Sequence, residues 1–286
     1  MAGTIYTIEN ELLTAAVSDM GAELQSLKWK ATDDEYIWQG NPEVWSGHSP
    51  LLFPVVGRLK DDSFIYEGKK YNLGKHGFAR KTEFEAKKMS DSRLIMILKS
   101  GAHKESYPFD FVLEIDYELI GKSLKVTHRV ANLDGRTMYF SLGAHPAFNC
   151  DMGDFIEFPE DAAAYAYKLD DETKLSTEEK IEQGVYDHKL TVTEDIFAHD
   201  ALIFEGLRSD YVTLYCGGKK RVTVDFGSAP CLGIWAKPGA KYVCIEPWHG
   251  IDDTPSATGI LSGKKQIVSL AAGDCFRFPM TITAHE

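Results

Sequence analysis

The sequence predicts an all-β protein, a large antiparallel β-sandwich, from three observations. Apolar and polar residues alternate with a period of two along much of the chain, Gly-containing turn signals separate the alternating runs, and helical periodicity is scarce. Strands joined by tight turns make antiparallel sheets, and so many of them in one chain need two large sheets packed face to face. At 286 residues the whole chain, 1–286, is expected to form one such domain around a single core.

In chain order, a short turn is expected near NPEVW, residues 41–45. SFIYEGKKYNL (63–73) reads as a hairpin about Glu67-Gly68, and TEFEAKKMSDSRLIMILKS (82–100) as two runs separated by the polar residues 90–92. The alternation is clearest in FVLEIDYELIGKSLKVTHRVANL (111–133). There Val112, Glu114, Asp116 and Glu118 interleave with Leu113, Ile115, Tyr117 and Leu119 before a Gly121-Lys122 turn. The polar stretch STEEKIEQ (176–183) is, with NPEVW, one of two short helical candidates. YVTLYCGGKKRVTVDFG (211–227) gives another hairpin about Gly217-Gly218, and KQIVSLAAGDCFRFPMTITAH (265–285) offers two runs around a Gly.

Composition excludes several classes of function. Acids outnumber bases 43 to 31, a formal charge of -12, so neither nucleic acid nor an anionic membrane surface is the expected partner. The N-terminal MAGTIYTIEN lacks the basic and apolar segments of a signal peptide, and no apolar run reaches the roughly 18 residues of a membrane span, so a cytoplasmic location is expected. Five scattered cysteines, none in a CxxC spacing, give neither a disulfide framework nor a zinc site. There is no phosphate loop, dinucleotide fingerprint, nucleophile elbow or HExxH pair. Oligomeric state leaves no readable trace, and a homodimer stays open.

Four stretches instead join an apolar run to a Gly or Pro and an ionisable group: FPVVGRL (53–59), KHGFAR (75–80), SLGAHPAFN (141–149) and IEPWHG (245–250). That is how a strand end presents a side chain to a cleft. Singly, each has an ordinary explanation: a surface arginine, a turn histidine, half of an ion pair. Together they supply the residue types of acid–base chemistry. Pro146 and Pro247 bias His145 and Glu246 toward extended backbone. Trp45, Phe148, Trp235 and Trp248 could offer flat apolar faces to a sugar ring, although each taken alone fits a core role better.

HGFAR, AHPAFN and KPGAKYVCIEPWHG, in that order, resemble the signature segments of the aldose 1-epimerase (galactose mutarotase) family, most closely its bacterial LacX-like branch. The resemblance runs from about residue 20 to the end and implies a β-sandwich with a sugar site in a cleft on one sheet, with no metal or organic cofactor. It implies Glu246 as general base and His145 as general acid, with His76 and Arg58 binding the sugar. Asp200, in FAHDALIF, is the candidate for the family's hydroxyl-binding aspartate, with a turn-capping role the equal alternative. Trp235, Asn149 and Arg80 complete the expected substrate-binding set.

The implied reaction opens a cyclic aldose. A base takes the proton of the C1 hydroxyl, an acid protonates the ring oxygen, and the aldehyde turns about C1–C2 and recloses on its other face. Both oxygens sit on C1, so the functional atoms of Glu246 and His145 are expected within roughly 8 Å of each other. Two departures from the galactose mutarotase pattern bear on the sugar. Gly57 stands where Asn usually precedes the motif arginine, and Phe78 follows Gly77 where a second Gly is usual.

A hexose-6-phosphate epimerase is the runner-up, with Arg58, Lys60, Lys75 and Arg80 as the cations to inspect. A non-catalytic sugar-binding protein is the alternative from another class, and retention of a matched acid and base counts against it. A glycoside hydrolase would need a second catalytic carboxyl.

Overall fold

A computed structural model describes residues 3–286, the side chains of 182 and 183 excepted. Strands dominate it. Helix is confined, among the described residues, to four three-residue 3-10 turns at Lys60–Asp62, Ala79–Lys81, Gly101–His103 and Leu261–Gly263. None of these is long and apolar enough to cross a membrane.

The architecture is a large antiparallel β-sandwich whose principal sheet closes on itself through pairings such as Ser123–Asn132 with Cys275–Ala284 and Cys275–Ala284 with Lys219–Asp225. A four-stranded sheet, Ile5–Glu9 to Asp34–Glu35, and two two-stranded sheets complete it. The hairpin of Phe111–Ile120 with Ser123–Asn132 runs in unbroken register from Phe111↔Asn132 to Ile120↔Ser123. Leu113, Ile115 and Leu119 face the core, as the alternation requires, while Glu114 and Glu118 stay half-exposed. Asp116 is the exception on the polar face, buried beneath Arg93 at 2.8 Å and Arg129 at 3.4 Å.

Two local expectations change on folding. STEEKIEQ is not helical but forms most of the strand Ser176–Tyr186, which pairs with Ala163–Leu169 through two register shifts. Its Glu and Lys residues favour helix weakly, and cross-strand packing such as Ile181↔Ala166 overrides that preference. The last two runs do not pair with one another. Val268–Leu270 joins Met138–Phe140, and Cys275–Ala284 enters the principal sheet. The NPEVW turn forms as expected, with the Val44 and Trp45 amides both donating to the Asn41 carbonyl.

One strand positions the chemistry. Tyr242–His249 is buried at every position because it runs inside the sheet, flanked on one side by Cys231–Trp235. On its other side two short strands pair with it in turn: Ala147–Asn149 opposite Tyr242, Val243 and Cys244, and Leu142–Ala144 opposite Trp248 and His249. The break between them is His145-Pro146, which therefore lies across from Ile245 and Glu246. The Ile245 amide donates to the Pro146 carbonyl there.

Candidate active site

A cavity of about 700 Å³ opens above that break. His145 and Glu246 lie at its wall, 9% and 1% exposed, with His145 Nε2 3.2 Å from Glu246 Oε2. This is inside the roughly 8 Å that two groups serving oxygens on one carbon allow. The contact is poorly aligned for a hydrogen bond, and Glu246 Oε2 and His145 Nδ1 have no hydrogen-bond partner among the described residues. Trp45 stacks on the His145 ring at 5.4 Å and Trp235 meets it edge-on at 5.9 Å. The imidazole is thereby held in one plane.

Burial governs the charge of both groups. It pushes the Glu246 carboxyl well above the usual carboxylate range, with Lys75 opposing and Asp200 reinforcing the shift. It drives the His145 imidazole down to about 3, with Lys75 and Arg80 adding to the effect. Both neutral forms are favoured, so the first proton taken up by the empty pair goes to the carboxyl.

His76 is the third ionisable group beside them, its ring perpendicular to His145 at 6.0 Å. The Gly57 N–H donates to His76 Nδ1 at 3.1 Å, and the His76 N–H returns a bond to the Gly57 carbonyl at 2.8 Å. An Nδ1 that accepts fixes the tautomer, leaving the proton on Nε2. Burial, then Lys75, holds this imidazole well below its ordinary value, so it is a neutral donor.

Of the other expected residues, Arg80, Asp200 and Trp235 line the cavity. Arg80 is braced by an Nη2 bond to the Lys75 carbonyl, and Asp200 by its Oδ1 accepting from the Ala201 amide. Arg58 and Asn149 are not among the residues that line it. The Arg58 backbone is pinned by Asp252 Oδ1 and Asp253 N, and its guanidinium turns to Asp62 at 3.5 Å over a separate cavity of about 280 Å³ that Lys60 shares. The Asn149 amide is consumed in tying its strand to the Glu35 and Ile37 carbonyls, at 3.1 Å each. Phe148 is core, whereas Trp45 and Trp248 reach the cavity.

The cavity also holds residues that the sequence reading did not propose: Glu23, Lys81, Lys174 and Asp252. Only Asp252 left a signal, the first of two adjacent acids that follow the IEPWHG motif. Among the described residues, one cluster has ligand atoms close enough to share a metal ion, His145, Cys244 and Glu246, within 4.8 Å of one another. Burial keeps the Cys244 thiol protonated, which opposes capture of a cation.

Comparison with known proteins bears on the family and the fold. A sequence model described as aldose 1-epimerase matches residues 4–259. The plasmid-borne protein LacX of Lactococcus lactis subsp. lactis is 31% identical, over 96% of this chain and 98% of its own, and the chromosomal LacX is 32% identical over the same shares. Among solved structures, a galactose mutarotase related enzyme from Lactobacillus acidophilus is 35% identical with a TM-score of 0.93, over 99% of this chain and 98% of that one. A galactose mutarotase-like protein from Lactobacillus casei is 28% identical with a TM-score of 0.93, over 99% and 100%.

Proposed function

The chain belongs to the aldose 1-epimerase family, and within it we propose that this protein is a mutarotase, interconverting the α and β anomers of a free aldohexose by acid–base ring opening and closure. Membership supports an isomerase or epimerase. The finer reading rests on one observation: a buried carboxyl and a buried imidazole in contact at the wall of a cavity large enough for a sugar.

In this reading the anomeric hydroxyl and ring oxygen enter between Glu246 and His145. Hydrogen bonds from sugar hydroxyls favour the ionised carboxylate, which burial alone disfavours. Transfer of the proton from Glu246 to His145 then creates the base and the acid together, without a proton from solvent. Glu246 accepts the O1 proton as His145 donates to the ring oxygen. The C1–O5 bond breaks to give the aldehyde, which rotates and recloses with the two roles reversed, returning the pair to its starting state. Trp45 and Trp235 offer apolar faces to the sugar's C–H surface. The chain is taken to act as one domain, and no organic cofactor or metal has a step in this scheme.

A second reading is kept because Lys75, Lys81 and Lys174 line the same cavity and make no ion pair among the described residues, as a sugar phosphate would want. Arg80 lines it as well, and Glu23, Asp200 and Asp252 share that wall and offset three of the four positive charges, which favours the uncharged sugar. Polarimetry of freshly dissolved α-D-glucose and α-D-galactose decides the matter. Faster relaxation with protein supports the mutarotase. No acceleration with either sugar, but faster anomer exchange of glucose 6-phosphate by NMR, transfers the conclusion to the phosphosugar.

A further inference from the structure

We infer that Asp252 and His76 together read one hydroxyl of the bound sugar, Asp252 accepting its proton and His76 Nε2–H donating to its oxygen, and that this pair sets which sugar the site takes. The inference rests on the mutarotase reading only in naming the ligand a sugar.

Asp252 lines the cavity yet is 5% exposed, so its carboxylate is held there by the fold rather than by solvent. Oδ1 accepts the Arg58 N–H at 2.6 Å, and Oδ2 has no hydrogen-bond partner among the described residues. A buried carboxylate with one oxygen fixed by backbone and the other unengaged is a preorganised acceptor. His76 is its complement, because Nδ1 is spent on the Gly57 amide and the proton therefore sits on Nε2.

Both side chains lie against one residue. Gly57 has φ +70, and a Cβ built on it would lie 2.3 Å from Asp252 Cγ and 2.4 Å from either carboxylate oxygen. The same Gly57 holds the His76 ring through its N–H. Asp252 thus occupies the space that any side chain at position 57 would fill. A donor and an acceptor flanking one backbone position match the dual character of a hydroxyl, which gives and takes one hydrogen bond each. A site built this way discriminates strongly, because a sugar lacking that hydroxyl leaves both buried groups unpaired.

The test measures anomer exchange of D-glucose, D-galactose and their monodeoxy analogues with wild-type protein, Asp252→Asn and His76→Gln, alongside Kd from quenching of the cavity tryptophans. In wild type, removal of one particular hydroxyl is expected to lower kcat/KM and affinity by at least about 10-fold. Asp252→Asn and His76→Gln should each flatten that one penalty while leaving the ratios for the other analogues unchanged. Equal losses across all analogues, or penalties untouched by either variant, would overturn the inference. If no sugar showed accelerated exchange but the same pattern appeared in Kd, the mutarotase reading would fall and this inference would stand.

Discussion

His145 Nε2 and Glu246 Oε2 meet 3.2 Å apart because the His145-Pro146 break between two short strands lies directly across from Glu246 on a fully buried strand. A continuous partner strand would have aligned backbone there. The interruption frees His145 to turn its imidazole toward the carboxyl, and the Pro146 carbonyl still closes the ladder by accepting from Ile245. Bringing two ionisable groups into such burial strains the fold as well as enabling chemistry, and the strain is measurable.

Glu246→Gln should stabilise the protein at alkaline pH. The folded-state pKa of Glu246 is raised, so its contribution to stability is fully present below the unfolded value near 4.3 and is lost as pH rises through the folded value. Gln mimics the protonated form at every pH. Thermal melts at pH 8 should show the variant higher by about 2 °C, the equivalent of about 1 kcal/mol in a chain of this size, with the gap closing toward pH 4. An equal gap at both pH values would contradict this.

Acid should destabilise the fold through a second histidine, one that does not line the cavity of His145 and Glu246 but shares a small pocket with Ala144 and Pro146. His128 is fully buried, stacks on Phe278 at 5.2 Å, and is pushed down to about 4 by burial. The unfolded chain protonates it near 6.5, so between about 6.5 and 4 the unfolded state binds more protons and stability falls with pH. The full effect is about 3 kcal/mol. Urea melts of His128→Gln across this window should show a shallower decline than wild type; an identical slope would remove His128 from the account.

Gly57→Ala should damage stability and activity together. The new Cβ would collide with the Asp252 carboxylate on a left-handed backbone. A loss of about 1–3 kcal/mol is expected in denaturant melts. A fall in kcat/KM should accompany it, because Asp252 and His76 both shift. An alanine variant with wild-type melting and kinetics would mean that the close approach is relieved at no cost.

The alkaline limb of kcat/KM should report loss of the pair's one proton from Glu246, whose pKa burial raises above the ordinary carboxylate range, because transfer to His145 needs that proton. A rate profile that falls on acidification through the ordinary carboxylate range and has no alkaline limb would exclude Glu246 as the carrier of that proton.

The hairpins were legible because their cause is local. Alternation and a Gly turn within about twenty residues determine the pairing of 111–120 with 123–132. The same local logic failed at STEEKIEQ, where the deciding contact with Ala163–Leu169 lies outside the segment. Glu246, His145 and His76 could be named because Gly and Pro punctuate their motifs, although Glu246 stands inside the strand Tyr242–His249 and not at its end as expected. Arg58 and Asn149 belong to the same motifs, but their side chains are claimed by Asp62 and by the Glu35 and Ile37 carbonyls, partners that no motif reveals. Asp252 was missed for the converse reason: its importance comes from the empty space at Gly57, which exists only once the chain has folded.

The most direct test is NMR exchange between the α and β anomers of D-glucose and D-galactose at equilibrium, comparing wild type with Glu246→Gln after circular dichroism has shown that the variant is folded. Wild type should accelerate exchange for at least one sugar, and the variant should lose about 10²–10⁴-fold of that acceleration, the usual contribution of one general acid–base group. A folded Glu246→Gln protein that exchanges anomers at the wild-type rate would contradict the account at its centre.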